Sequence, residues 1–234
     1  MQKYKKYMKT KKETKKNTIF AYMKQYIFAT NNKHKLQEVR EMLKDFATIK
    51  SLSEVGLHGE IPETADTLEG NAQQKVQWVI EKMKEMRGQD AIIPDGVFAD
   101  DTGLEVEALD GRPGVYSARY AGEHCSFDDN INKMLGEMEG KTNRRARFRT
   151  VICLMENGER ERESGELKTH YFEGRVDGTI LTERYGKEGF GYDPIFMPDR
   201  FAVSFAEMPI EVKNRISHRG KAVEKLVEYL KNEN

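Results

Sequence analysis

Paired cysteines, a long apolar run, a glycine-rich phosphate loop and an excess of either charge are all missing from this 234-residue chain. Cys125 and Cys153 form neither a disulfide framework nor a Cys-x-x-Cys metal spacing, which points to a reducing intracellular compartment. Both thiols read as small core or half-buried side chains. No apolar stretch approaches the ~20 residues of a membrane span, and the N-terminus lacks the apolar segment of a secretory signal. Cytoplasm is the expected location. Lysine without arginine, little serine and the acid Glu13 argue against a mitochondrial presequence. Lys and Arg total 39 and Asp and Glu total 39, a formal net charge of zero, which on its face argues against a dedicated nucleic-acid or membrane-surface binder.

That zero is the sum of two unlike parts. Residues 1–22 hold eight lysines against one acid, 8 − 1 = +7, so the remaining 234 − 22 = 212 residues carry −7. Too few apolar residues interrupt the head to hold a packed structure, so residues 1–22 are expected to be a basic, disordered extension. Residues 23–234 then form the folded body, with Met23 as a second candidate start. At 38% hydrophobic residues the chain suffices for one large or two-lobed domain.

Tyr26 to Thr30 has the composition of a buried first strand, and Leu36, Val39, Leu43 and Phe46 recur behind it at helical spacing. Between them lies Thr30-Asn31-Asn32-Lys33-His34-Lys35. A strand, a polar turn and a helix N-terminus make an anion site, and Lys33 and Lys35 add full charge. An N-capped turn with two surface lysines accounts for the same residues. A second helix is predicted from Glu69 to about Arg87 on Ala72, Val76, Val79, Ile80, Met83 and Met86, ending at Gly88. The acidic loop Gly59 to Asp66 ahead of it reads as a metal-ligand source or as solvated surface.

The sharpest chemical signal is Asp100-Asp101-Thr102-Gly103, read as the end of a strand running through Val97-Phe98-Ala99. Adjacent acids at a partly buried strand end repel one another unless a cation or donors compensate. Mg²⁺, which takes oxygen ligands and keeps water and phosphate in its shell, suits them; an Asx-type turn is the plain alternative. Gly111 to Gly114 reads as a rigid turn, and Ser126 with Asp129 as a capping box for a helix carrying Ile131, Met134, Leu135 and Met138 and stopped by Gly140. Arg145, Arg147 and Arg149 alternate into an apolar strand, a row that faces phosphate, solvent or an interface. Asn157-Gly158 signals a hairpin, and strand alternation resumes from Thr169 to Ile180. Glycines flank Phe190, which suits an exposed stacking ring followed by Asp193, although such residues also make ordinary bends. Ser217 caps a last helix with Val223, Leu226, Val227 and Leu230 on one face. His218 and Arg219 in its first turn oppose the helix dipole, which points to an anion or acceptor-rich ligand there, or to incidental surface charge.

Taken in order, these segments resemble the inosine triphosphate pyrophosphatase family over residues 24–231. The matching stretches are Thr30 to Lys35 with Glu38, Leu68 to Ala72 with Lys75, Ala99 to Leu104, Gly111 to Tyr120, Phe190 to Pro194 and Ser217 to Arg219. Residues 1–22 have no counterpart.

The resemblance implies an α/β fold, an elongated mixed sheet with flanking helices and two lobes around a central nucleotide cleft, usually in a homodimer. It implies hydrolysis of deaminated purine nucleoside triphosphates (ITP, dITP, XTP) to the monophosphate and pyrophosphate. Thr30, Asn31, Asn32, Lys33, His34, Lys35 and Lys75 would hold the triphosphate. Glu63 and Asp101 would bind Mg²⁺, with Asp101 as proton acceptor. Thr102, Phe190, Gly191, Tyr192, Asp193, Lys213, His218 and Arg219 would contact substrate, Phe190 stacking on the purine. Donors such as Arg219 or His218 would favour a 6-oxo over a 6-amino purine. The rivals are a pyrophosphatase of modified pyrimidine or methylated nucleotides and, improbable beside an acidic body, a nucleic-acid binder using the basic head.

Overall fold

The computed structural model describes residues 23–87, 95–157 and 167–232; the basic head, Gly88 and Gly158 lie outside them. β1 (Gln25–Phe28) is buried from Tyr26 onward and pairs in parallel with β2 (Thr48–Lys50) and β3 (Gly96–Val106). β3 then pairs antiparallel with β5 (Arg145–Asn157), β5 with β6 (Leu167–Ile180), and β6 with β7 (Phe196–Pro198). Among the described residues this makes one seven-stranded mixed sheet in the order β2-β1-β3-β5-β6-β7, with β4 (Pro113–Gly114) on the far part of β3. The parallel pairs need crossovers, which α1 (Lys33–Leu43) and α2 (Leu68–Arg87) provide.

Because side chains alternate across a strand, the two faces collect different residues. Ile27, Ala29, Val97, Ala99 and Cys153 point to one face, where Ala72, Val76, Val79 and Met83 of α2 cover them. Tyr26, Phe28, Phe98, Ile152 and Leu154 point to the other, under Val39 and Leu43 of α1 and Val223, Leu226 and Leu230 of α5 (His218–Asn232). A third core forms around the far part of β3, β5 and β6, where Leu104, Phe148 and Ile180 meet Ile131 and Met134 of α3 (Phe127–Glu137). The cleft opens where these cores meet. The Ser126–Asp129 capping box forms as expected, Cys125 is half-buried and Cys153 buried.

Several expectations need correction. β3 does not end at Ala99 but runs eleven residues through Asp100, Asp101 and Thr102, paired residue by residue with β5. The Asp-Thr-Gly turn is therefore absent, and the two aspartates stand on opposite faces of the sheet. Phe46 lies beyond α1 and is 38% exposed, under the Lys231 ammonium at 4.7 Å from its centroid, while Met86 is 54% exposed at the end of α2. β5 and β6 pair antiparallel as far as Asn157 and Leu167, and the Asn157-Gly158 turn signal runs into residues outside the described ones. A short helix, α4 (Ile210–Ile216), stands where none was expected.

Candidate active site

At the mouth of the cleft, Asn32 caps α1, its Oδ1 accepting from the backbone N–H of His34 at 3.0 Å and of Lys35 at 3.1 Å. The cap thus uses two of the donors that a free helix N-terminus would offer an anion. Thr30 Oγ1 accepts from Asn32 N–H at 3.1 Å, and Asn31 Nδ2 donates to the Gly59 carbonyl at 2.8 Å, tying the turn to the acidic loop.

Behind the turn, the two faces of β3 carry two separate charge clusters. Asp100 accepts from Lys35 Nζ at 3.0 Å and from Arg219 Nε at 3.0 Å. Arg219 Nη1 also reaches Glu38, which binds Lys213 Nζ at 3.0 Å, and Lys213 binds Asp193 at 2.8 Å. Burial alone would raise the carboxyl pKa of Asp100 and Glu38, yet the cations outweigh it and hold both below the usual range. Arg219, in the first turn of the last helix, is thus offset by the protein's own carboxylates. Removing one partner from such a buried network costs about 3–5 kcal/mol, because the other charge is left uncompensated.

On the opposite face, Lys75 Nζ binds Asp101 Oδ1 at 2.8 Å, Glu63 Oε1 at 2.5 Å and the Asp100 carbonyl at 3.0 Å. Asn71 Nδ2 donates to Asp101 Oδ2 at 3.1 Å. Arg119 Nη2 donates to the Glu63 carbonyl at 3.1 Å. Burial raises the pKa of Asp101 above the ordinary carboxylate value, with Lys75 opposing. Glu63 moves down: burial opposes, but Lys75 outweighs it.

Gly189 and Gly191 both have positive φ, +79° and +61°, and present Phe190 between them. The ring is not bare. His34 stacks on it at 5.4 Å between centroids and 21° between planes, and Lys213 Nζ and Arg219 Cζ lie 5.0 and 5.4 Å from its centroid. Asp193 Oδ2 accepts from Phe190 N–H at 2.8 Å, and Tyr192 donates its hydroxyl to the Ser117 carbonyl at 2.9 Å. His218 stacks on Phe148 at 4.5 Å.

These groups enclose a cleft of about 890 Å³, at the large end of small-molecule sites. Thr30, Asn31, Asn32, Lys35, Glu63, Lys75, Asp101, Thr102, Phe190, Gly191, Tyr192, Asp193, Lys213, His218 and Arg219 all line it. Lys33 and His34 do not: Lys33 is exposed, and His34 reaches the site only through Phe190. The arginine row lies outside the cleft, Arg145 on Asp199, Arg147 on Glu105, and Arg149 on Glu69 and Glu173. Asn71, Arg119 and Thr150, whose Oγ1 is 2.7 Å from that of Thr102, join the site without having been expected there. Asn71 had a sequence signal, since it stands four residues before Lys75 and so on the same helix face.

Among the described residues no group of three or more His, Cys, Asp or Glu side chains could hold a metal ion, and no helix is long and apolar enough to cross a membrane. The chain is 48% identical over 208 residues to the dITP/XTP pyrophosphatase of Flavobacterium psychrophilum, covering 89% of this chain and all of that protein. It is 47% identical over 209 residues to the dITP/XTP pyrophosphatase of Porphyromonas gingivalis, covering 89% and 98%. Its fold matches the Ham1 protein of Staphylococcus aureus with a TM-score of 0.74 at 36% identity, covering 90% of this chain and all of that one. A HAM1 protein from Coxiella burnetii matches with a TM-score of 0.75 at 35% identity over the same shares. A sequence model of the Ham1 family spans residues 26–229, nearly the whole body from β1 to α5, and the chain belongs to that family.

Proposed function

We propose that the protein hydrolyses deaminated purine nucleoside triphosphates (dITP, ITP and XTP) to the nucleoside monophosphate and pyrophosphate, removing them from the nucleotide pool. The relatives named dITP/XTP pyrophosphatase support the substrate class. The observation that carries the chemistry is the convergence of Glu63 and Asp101 on one cationic point at the cleft wall, occupied here by Lys75 Nζ.

That convergence is also the test of fit for Mg²⁺. Two carboxylate oxygens within 2.5 and 2.8 Å of one positive centre are the donor set Mg²⁺ takes when water and substrate phosphate complete its shell. Glu63 and Asp101 would hold the ion, and Lys75 would turn to the phosphates. Bound there, Mg²⁺ supplies charge neutralisation on phosphate oxygens.

The chain's own groups do the rest. Water adds to the α-phosphorus, the bond to the β-phosphate's bridging oxygen breaks, and pyrophosphate leaves. Asp101 orients that water and accepts its proton. Thr30, Asn31, Asn32 and Lys35 of the turn, with Lys75, hold the phosphate chain. Thr102, Phe190 to Asp193 and Lys213 contact the substrate, with the base against Phe190 once His34 swings aside. His218 and Arg219 face the purine edge. Arg219 already spends Nε on Asp100 and Nη1 on Glu38, so its remaining N–H groups are the ones available to a 6-oxo acceptor. The working unit is a cytoplasmic homodimer.

Pyrophosphate release from ITP, dITP, XTP, GTP, ATP and dUTP, with and without Mg²⁺, tests this reading. Turnover of the first three alone, lost on chelation, is expected. No turnover of any of those three would overturn it, and preference for dUTP would favour the pyrimidine alternative.

A further inference from the structure

We propose that Asn71 is a positioning residue that sets the carboxylate of Asp101 and locks the Glu63 loop to it, so that one side-chain amide assembles both acids of the site. The inference rests on the activity proposed above and extends it to a residue outside the substrate contacts.

Asn71 is fully buried (0% exposed), and both ends of its amide are used. Oδ1 accepts the Ala65 backbone N–H at 2.9 Å, and Nδ2 donates to Asp101 Oδ2 at 3.1 Å. The orientation is forced. A backbone N–H only donates, so the amide oxygen must face Ala65, and the NH₂ is left for the carboxylate. Ala65 lies two residues beyond Glu63, so the same amide that fixes Asp101 also fixes the backbone that delivers Glu63.

Helix geometry makes this a joint device. Asn71 and Lys75 are one turn apart on α2 and approach Asp101 from two sides, Asn71 at Oδ2 and Lys75 at Oδ1. Gln74, from the same turn, accepts the Thr64 N–H at 2.9 Å and donates to Thr64 Oγ1 at 2.8 Å. The loop thus takes its shape from the helix that also sets the acid. Lys75 has to turn between acid and phosphate in the proposed reaction, whereas Asn71 is neutral and held at both ends. It keeps Asp101 in place when Lys75 moves away.

Asn71→Asp separates this role from a purely structural one. It keeps the size and the acceptor for Ala65 N–H but, when ionised, replaces the donor to Asp101 with a like charge. The variant and the parent are compared for kcat and KM on dITP and for the Kd of its non-hydrolysable α,β-imido analogue by calorimetry, together with Tm. The expected result is a fall in kcat of about 10- to 100-fold, the scale of one hydrogen bond to a charged group. KM and analogue Kd should stay within about threefold, so that the loss falls on the chemical step. A folded variant with kcat near the parent's overturns the proposal, as does a rise in KM and Kd that accounts for the whole loss. If Asn71→Asp does not fold, Asn71→Ser is judged by the same measurements. Failure of both to fold makes Asn71 a fold determinant and also overturns it. A parent that turns over no deaminated nucleotide would instead sink the activity, so the two failures are distinguishable.

Discussion

His218 is buried against Phe148, and its Nδ1 has no hydrogen-bond partner among the described residues. Burial, reinforced by the charges of Arg219, Lys213 and Lys35, pushes its pKa well below 6.5, with Asp100 opposing. The folded protein therefore keeps His218 neutral at pH values where the unfolded chain protonates it. In that window the unfolded state binds more protons, so stability falls as pH drops below about 6.5, by at most about 1.4 kcal/mol per pH unit from this group. Urea titrations of the parent and His218→Asn between pH 7.5 and 5 should show the parent losing stability faster on acidification. Parallel curves would show that His218 takes up its proton alike in the folded and unfolded states, and would remove it as the source of the acid sensitivity. For Asp101→Asn, the expected outcome is a fall in kcat of at least about 100-fold with a parent-like circular dichroism spectrum, the share that a positioned base contributes. Near-parent turnover would remove Asp101 from the reaction. At this scale the residue types in the cleft were legible, but the partner of each was not. Asp100 and Asp101 read as one acidic pair because they are neighbours in the chain. Strand alternation gives Asp100 to Lys35 and Arg219, and Asp101 to Lys75 and Asn71, partners up to 119 residues away.

At the scale of elements, the position of His218 and Arg219 depends on how closely α5 lies on β6. A Cβ added at Gly174 would stand 1.9 Å from the His218 carbonyl oxygen and 2.5 Å from the Ala222 nitrogen. Both are backbone atoms, so the contact is relieved only by moving the helix or the strand. Gly174→Ala is therefore expected to cost about 1–3 kcal/mol of stability, the range for overpacking, and to lower kcat/KM for dITP by displacing the first turn of α5. Denaturation and steady-state kinetics on the same sample check both, and an unchanged midpoint would mean that the sheet yields in place of the helix. The elements with strong periodicity, α1, α2, α3 and α5, were readable from sequence. β3 was cut short because Asp, Asp, Thr and Gly are turn residues in local context, and only pairing with β5 and buried counter-charges make them strand residues. α4 has seven residues and no side-chain cap, too little for a periodic signal, yet it carries Lys213 into the buried network.

Across the whole molecule, the described fold begins at Met23, whose Sδ accepts from Thr48 Oγ1 at 3.7 Å, with Lys24 C=O accepting from Thr48 N–H at 2.9 Å. Among the described residues, those that line the cleft belong to the part of the chain with net charge −7. An acidic body repels a triphosphate at long range, and the cations of the cleft have to overcome this at close quarters. The +7 of residues 1–22 is expected to change the approach of the substrate and not the chemistry inside the cleft. At 0.15 M ionic strength, with a Debye length of about 8 Å, a chain starting at Met23 is expected to match the full chain in kcat/KM within about twofold. In low salt the screening length grows to about 30 Å, and the full chain should gain in kcat/KM through a lower KM at equal kcat. Steady-state kinetics of the two chains across a salt series decide the matter. A difference in kcat that persists at high salt would place part of the head in the working site, and the boundary at residue 23 would then be wrong.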